Sequence, residues 1–114
     1  MKSLIILGAG GHGKVVAETA LASNKYQEIS FLDDKFSKDK VLKDFLGINI
    51  IGNLNFSAEL KKKEIFSDAI VAIGDATLRL KWIKKLKNLN YQIPSIFHPS
   101  AWISPSSYIA EGSV

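Results

Sequence analysis

The first apolar run of the chain covers four residues, Leu4 to Leu7, and ends at Gly8. An uninterrupted apolar run that ends at glycine is typical of a parallel strand buried on both faces. Beyond Lys14 the spacing changes, because apolar residues recur at helical intervals and neither proline nor glycine occurs before Asn24. The pattern therefore predicts a strand, a glycine-containing turn and a helix, in that order.

The same alternation continues along the chain. Short apolar runs predict further strands at residues 29–32, 47–53 and 67–73, with a β-prone run at 91–97. Helices are predicted for residues 56–63, with Ser57 as a possible cap, and from Ala76 onward. Residues 36–46 show neither pattern and predict an irregular or briefly helical segment. Strands that alternate with helices predict an α/β domain with a Rossmann-like βαβ unit and a mainly parallel sheet.

The glycines after the first strand carry the clearest chemical signal. The spacing Gly8-x-Gly10-x-x-Gly13 suits a tight turn, close approach of a phosphate to backbone amides, and close packing of helix on strand. A helix N-terminus offers free N–H groups and the positive end of its dipole, which favour an anion. We therefore predict a phosphate-bearing ligand over Gly10, Gly11 and Gly13. The alternative is a turn that only requires close packing.

His12 lies between two of these glycines, so its imidazole is expected to point outward from the turn. It could donate to a phosphate or a sugar hydroxyl, or it could be a solvated loop histidine. The sequence leaves both interpretations open.

Two acids follow the second predicted strand. Asp33 lies twenty residues beyond Gly13, where the second strand of a βαβ unit ends, and an acid there can accept hydrogen bonds from a ribose or sugar hydroxyl. Asp33 and Asp34 could instead open a loop or cap a turn, and the sequence does not choose between the two acids. Lys35 is a candidate phosphate contact, with a solvated lysine as the alternative.

A second buried run ends at Gly74-Asp75, which should lie at the same edge of a parallel sheet as the first glycine turn. Asp75 is also suited to cap the helix that begins at Ala76. Arg79 is the only arginine and falls in the first turn of that helix, where the dipole does not favour a cation. It is a candidate ligand contact or a surface residue.

Composition narrows the class of protein. A chain of 114 residues with 46% hydrophobic and 23% charged residues fits one globular domain, and the absence of cysteine removes disulfides and thiolate metal sites. No signal-peptide core or membrane-length apolar run is present, so a cytoplasmic protein without membrane insertion is expected. The net charge of +4 comes largely from lysines on predicted helix faces without interleaved aromatic residues, so no nucleic-acid partner is expected.

The C-terminal residues have a different period. Ile103 and Ile109 are six residues apart, and small residues, Ser107 and Ser113, follow each by four. This spacing indicates hexapeptide repeats of a left-handed β-helix, in which an aliphatic residue points inward and a small residue turns the corner. Ser104 departs from the usual second position of such a repeat. A linker rich in proline and serine is the alternative.

Taken together, these motifs resemble the bacterial sugar O- and N-acyltransferases, which include the sialic acid O-acetyltransferase group and the UDP-4-amino-sugar N-acetyltransferases. The resemblance rests on Gly-Ala-Gly-Gly-His-Gly after the first strand, Phe-Leu-Asp-Asp-Lys after the second, Ala-Ile-Gly-Asp with a following arginine, and His-Pro-Ser-Ala before the repeats. It covers nearly the whole chain.

The resemblance implies an acetyl-CoA-dependent, usually homotrimeric enzyme with two domains. Residues 1–97 would form the nucleotide-sugar domain, and residues 98–114 the junction and the first repeats of an incomplete β-helix domain. The acetyl-CoA groove and the histidine base would lie beyond Val114, so His98 is not assigned as a catalyst, and this chain alone is expected to be inactive and to trimerise weakly or not at all. No catalytic residue and no metal is predicted. The predicted substrate-binding residues are Gly8, Gly10, Gly11, His12, Gly13, Asp33, Asp34, Lys35, Gly74, Asp75 and Arg79.

Two other classes of function fit part of the pattern. A small NAD(P)-binding Rossmann module would share the glycine spacing and Asp33, although a full dinucleotide site takes two mononucleotide halves and this chain has room for little more than one. A non-catalytic ligand sensor or assembly module has no distinctive support in the sequence.

Overall fold

The computed structural model describes residues 2–36 and 45–94. Four parallel strands form one sheet in this part of the chain, in the order β3-β2-β1-β4. The strands are β1 (Lys2–Leu7), β2 (Tyr26–Leu32), β3 (Ile50–Gly52) and β4 (Asp68–Val71). The helices are α1 (Gly11–Ser23), α2 (Phe56–Lys62) and α3 (Ala76–Asn88). The predicted α/β fold with a parallel sheet is confirmed.

The central strand β1 is buried on both faces, which explains its continuous apolar run. Ile5 and Leu7 belong to a core cluster that includes Trp82 and Leu86 of α3, whereas Leu4 and Ile6 pack with the buried face of α1. Successive side chains of a strand point to opposite faces, so one apolar run serves both layers. Helix α1 therefore covers one face of the sheet, and α2 and α3 cover the other.

Three local predictions need correction. Helix α1 begins at Gly11 rather than near Lys14, so two of the glycines lie within its first turn. Strand β2 begins at Tyr26, three residues before the apolar run that predicted it. Ser57 is not the cap of α2, because Asn55 occupies that position and the buried Ser57 hydroxyl donates to the carbonyl of Leu54 at 2.9 Å.

Several predictions fall wholly or partly outside the described residues. Within the segment 36–46, residues 37–44 are not described, and Phe45 forms an isolated antiparallel bridge with Ile48. In the β-prone run 91–97, Gln92 forms a parallel bridge with Asp68 rather than a full strand, and the description ends at residue 94. The junction and the predicted hexapeptide repeats at 98–114 lie beyond it. Among the described helices, none has the length and apolar character needed to cross a membrane.

Candidate functional site

The carboxyl ends of three strands lie side by side. Leu7 at the end of β1 pairs with Leu32 of β2 and with Val71 of β4. The strand order reverses between β1 and β4, and in open parallel sheets such a reversal opens a crevice where ligands bind. We call this region the carboxyl edge and define it as residues 8–14, 33–35, 52–55 and 72–79. It unites all the glycine, aspartate and arginine positions predicted from the sequence.

Two of the glycines at the carboxyl edge are required by the fold itself. Gly8 has a φ of +107°, and a Cβ there would lie 2.7 Å from the carbonyl oxygen of Ala72 in the loop after β4. A Cβ on Gly13 would collide with the carbonyl oxygen of Gly8. Both positions therefore need glycine because the backbones of β1, α1 and the β4 loop approach closely.

The other glycines border open space. A Cβ added to Gly10, Gly11 or Gly74 would meet no heavy atom of the described chain within 4 Å. Gly10 has an ordinary φ of −77°, so its backbone conformation does not demand glycine either. The chain's own packing thus explains Gly8 and Gly13 but leaves the open positions unexplained. A ligand that approaches the backbone closely would explain them.

The N-termini of α1 and α3 differ in their capping. Asp75 caps α3, since its Oδ1 accepts a hydrogen bond from the amide of Leu78 at 2.8 Å, as the sequence predicts. Helix α1 has no side-chain cap, and its first turn contains no acidic residue. The first amides of α1 and the positive end of its dipole are therefore available to an external anion.

Asp33 ties two loops of the carboxyl edge together. Its Oδ2 accepts from the amide of Ala9 at 2.8 Å, and its Oδ1 accepts from the amide of Lys35 at 2.9 Å. The amide of Asp33 in turn donates to the carbonyl of Gly52 at 3.0 Å. Because a carboxylate oxygen can accept more than one hydrogen bond, Asp33 keeps acceptor capacity for a ligand hydroxyl while it orients the glycine loop.

Asp34 has a similar structural contact, since its Oδ1 accepts from the amide of Leu54 at 3.2 Å. Both acids therefore have the loop-forming role that the sequence offered as the alternative to ligand binding. That role and hydrogen bonding to a ligand do not exclude each other, because each carboxylate has further lone pairs.

The three candidate residues that can carry positive charge, His12, Lys35 and Arg79, differ in their exposure and contacts. His12 and Lys35 are exposed, and the outward position of the imidazole agrees with the expectation from its glycine neighbours. Arg79 is half-buried, and its Nη1 donates at 3.4 Å to the carbonyl oxygen of Ile73, two residues after the end of β4. This contact keeps the guanidinium at the carboxyl edge, next to the crevice.

Sequence reasoning missed the loop between β3 and α2. Gly52 accepts from Asp33, Leu54 donates to Asp34, and the exposed Asn53 lies between them. The strand predicted at 47–53 could have located this loop, because residues directly after a parallel strand fall at the ligand-binding edge of the sheet. The amide of Ala9 was also missed, since its bond to Asp33 joins residues 24 apart.

The described residues contain no group of three or more His, Asp or Glu side chains arranged to hold a metal. The shifted pKa values belong to tyrosines away from the carboxyl edge. Burial raises the pKa of Tyr91 to about 12, and burial together with the neighbouring Asp68 raises the pKa of Tyr26 above its usual range. Neither tyrosine is a candidate ligand-binding residue.

An open parallel sheet with a glycine-containing strand-to-helix turn at the reversal of strand order defines a Rossmann-like α/β domain. Residues 3–86 match the family model described as the PglD N-terminal domain. The chain belongs to this family, which confirms the resemblance to the bacterial sugar acyltransferases.

The relatives are acetyltransferases of greater length. The chain is 31% identical over 116 residues to UDP-N-acetylbacillosamine N-acetyltransferase of Bacillus subtilis (strain 168), an alignment that covers 100% of this chain and 51% of the relative. The acetyltransferase domain of PglB from Neisseria gonorrhoeae FA1090, solved with acetyl coenzyme A, is 36% identical with a TM-score of 0.78 over 97% of this chain and 51% of that one.

A third relative is the perosamine N-acetyltransferase of Caulobacter crescentus, solved with CoA and GDP-perosamine. It is 30% identical, with a TM-score of 0.76 over 93% of this chain and 47% of that chain. The chain thus spans about half the length of each of these relatives.

Proposed function

We propose that this chain is the nucleotide-sugar-binding part of an acetyl-CoA-dependent sugar acetyltransferase that acts on a nucleotide-activated amino sugar in bacterial surface glycan synthesis. One observation carries the proposal: α1 has an uncapped N-terminus with open glycines at the reversal of strand order. One relative is named UDP-N-acetylbacillosamine N-acetyltransferase. Another is a perosamine N-acetyltransferase that was solved with GDP-perosamine.

In this proposal the diphosphate of the nucleotide sugar lies against the first amides of α1. Gly10 and Gly11 admit it because their backbone borders open space. Asp33 holds the glycine loop through the amide of Ala9 and offers its remaining lone pairs to a hydroxyl of the ligand. Arg79 and Lys35 supply positive charge at the two sides of the crevice. The role of the chain is to bind and orient the sugar.

The proposed reaction is acetyl transfer. The amino nitrogen, or a hydroxyl oxygen, of the sugar attacks the thioester carbonyl of acetyl-CoA, the carbon–sulfur bond breaks, and a base accepts the proton lost by the nucleophile. We assign the base and the acetyl-CoA groove to the part of the relatives that this chain does not span. Residues 1–97 then form the nucleotide-sugar domain, and residues 98–114 begin a β-helix domain through which the complete enzyme forms a homotrimer.

Calorimetric titration of the purified chain with UDP-, GDP- and CMP-linked sugars and with NAD tests the proposal. We expect one class of nucleotide sugar to bind without acetyl-CoA, and no acetyl transfer by this chain alone. Binding of NAD together with failure of every nucleotide sugar would favour the NAD(P)-binding alternative, which the relatives do not favour. Acetyl transfer by the chain alone, abolished in His98→Ala, would place the base within it.

A further inference from the structure

The outward face of α3 is strongly basic. Helix α3 carries one arginine, four lysines and no acidic residue between Ala76 and Asn88. Trp82 and Leu86 are buried against the sheet, whereas all four lysines are exposed. The helix therefore presents a cationic surface opposite its core-facing side.

Helix α2 extends this surface. Lys85 of α3 lies in the groove between the helices, whose α2 wall includes Ser57 and Ala58. Lys61, Lys62 and Lys63 follow at the C-terminal end of α2. We call the combined surface the basic face; it consists of Lys61, Lys62, Lys63, Lys81, Lys84, Lys85 and Lys87.

Helices α2 and α3 together carry one acidic side chain beside the basic face. Near it, Glu59 pairs with Lys62 at 3.7 Å, and Glu64 is exposed beyond the end of α2. Helix α1 on the opposite layer carries one lysine, Lys14, and one glutamate, Glu18. Among the described helices, positive charge is therefore concentrated on the layer formed by α2 and α3.

The basic face also exposes leucine. Leu80 is 67% exposed, and it lies one turn from Lys84 and two turns from Lys87 on the same side of α3. The aromatic rings of Trp82 and Tyr91 are buried, so they provide no platform on which bases could stack. An apolar side chain flanked by lysines suits a lipid surface better than a nucleic acid.

We propose that the basic face docks the domain peripherally on an anionic phospholipid surface. The lysine ammonium groups contact lipid phosphates, and Leu80 enters the headgroup layer. The carboxyl edge lies at the end of the strands rather than on the outer side of the helices, so docking leaves the candidate site open. Each lysine near such a surface raises affinity about fivefold at low ionic strength, and salt weakens the effect.

Sedimentation of the full chain with vesicles tests the proposal. We expect binding to phosphatidylcholine vesicles that contain two-fifths phosphatidylglycerol, and none to phosphatidylcholine alone. Lys81→Glu/Lys84→Glu should lower the affinity by at least about tenfold. Lys14→Glu/Lys25→Glu removes the same formal charge away from the basic face and should lower it by no more than about threefold.

Two further measurements separate lipid docking from general charge attraction. Leu80→Ser should weaken vesicle binding by about threefold while thermal unfolding of all variants stays near that of the parent chain. Equal losses in both double variants would overturn the proposal, because only net charge would then matter. Tighter binding to a single-stranded oligonucleotide, with the same dependence on Lys81 and Lys84, would also overturn it.

Discussion

The two ends of the sheet differ in how their polar groups are hydrogen-bonded. At the amino edge, which we define as residues 2, 3, 26, 65, 67 and 68, side chains bond to one another and to neighbouring backbone. Ser3 Oγ donates to the carbonyl of Ile65 at 2.9 Å, and Tyr26 donates to the buried carboxylate of Asp68 at 3.0 Å. At the carboxyl edge, Gly10 and Gly11 border open space above an uncapped helix.

This difference separates stability from binding within one small domain. Most polar side-chain atoms at the amino edge are bonded to each other or to backbone and stabilise the fold, although the buried Asp68 Oδ1 has no hydrogen-bond partner among the described residues. Backbone amides without a partner at the carboxyl edge contribute little to the fold and remain available to a phosphate. Substitutions at the two edges should therefore change different quantities.

The largest expected effect comes from Gly13→Ala, because its Cβ would collide with the carbonyl of Gly8 and force α1 away from β1. We expect a loss of about 3 kcal/mol in the free energy of unfolding, measured by urea denaturation. Gly74→Ala is the matched control at the same edge, since its Cβ meets no heavy atom of the described chain within 4 Å, and it should change stability by less than about 0.5 kcal/mol. Equal effects at both positions would contradict the division of the glycines into structural and open ones.

Tyr26→Phe tests the amino edge. The change removes the hydrogen bond that the buried Asp68 carboxylate receives among the described residues, and it should lower the free energy of unfolding by about 2 kcal/mol without altering nucleotide-sugar affinity. Lys2→Met provides the comparison, because this exposed lysine lies 3.9 Å from the same carboxylate, beyond hydrogen-bond distance, and its loss should cost less than the loss of the Tyr26 hydroxyl. A change in ligand affinity with Tyr26→Phe would contradict the claim that the amino edge affects stability but not binding.

Gly10→Val should show the reverse behaviour. Its side chain fits the open space and the ordinary φ of Gly10, so stability should change by less than about 1 kcal/mol. The same side chain would block the phosphate from the first amides of α1, and we expect nucleotide-sugar affinity to fall by at least about tenfold, which is about 1.4 kcal/mol. Unchanged affinity in calorimetric titration would show that the ligand does not approach this backbone.

The smallest expected effect concerns alkaline pH. Tyr91 donates its hydroxyl to the carbonyl of Ser57 at 2.7 Å, and burial raises its pKa from 10.0 to about 12. The unfolded chain loses the tyrosine proton first, so the free energy of unfolding should hold up to about pH 10 and then fall as the pH rises toward 12. Urea denaturation across this range measures the fall, and Tyr91→Phe should reduce it. An equally steep fall in that variant would exclude Tyr91 as a contributor.

The sequence predicts features of the fold that depend on continuous local patterns. The run from Leu4 to Leu7 identified β1, because a strand buried on both faces has no polar interruption. The beginning of β2 was missed because Gln27 and Glu28 are exposed and polar, and their place in the strand depends on pairing with β1. Ser57 was misjudged as a cap, since helical periodicity does not fix the residue at which a helix begins.

The sequence predicted many of the residues that form the candidate site, but it did not predict which glycines serve packing and which border open space. The glycine spacing located the loop, yet only the backbone of the folded chain shows that Gly8 and Gly13 serve packing while Gly10 and Gly11 face open space. The bond between Asp33 and Ala9 joins the ends of neighbouring strands, and its formation depends on their register. Tyr26 and Asp68 are 42 residues apart in the sequence, so no local pattern predicts their hydrogen bond.

Mapping of backbone amide shifts by NMR during titration with the nucleotide sugar tests the central claim most directly. We predict that the shifts concentrate at Gly10 to Gly13, Asp33 to Lys35 and Gly74 to Asp75, while Ser3 and Ser67 at the amino edge stay unchanged. Shifts concentrated at the amino edge, or a saturating response that spares the first turn of α1, would contradict the assignment of the carboxyl edge as the nucleotide-sugar site.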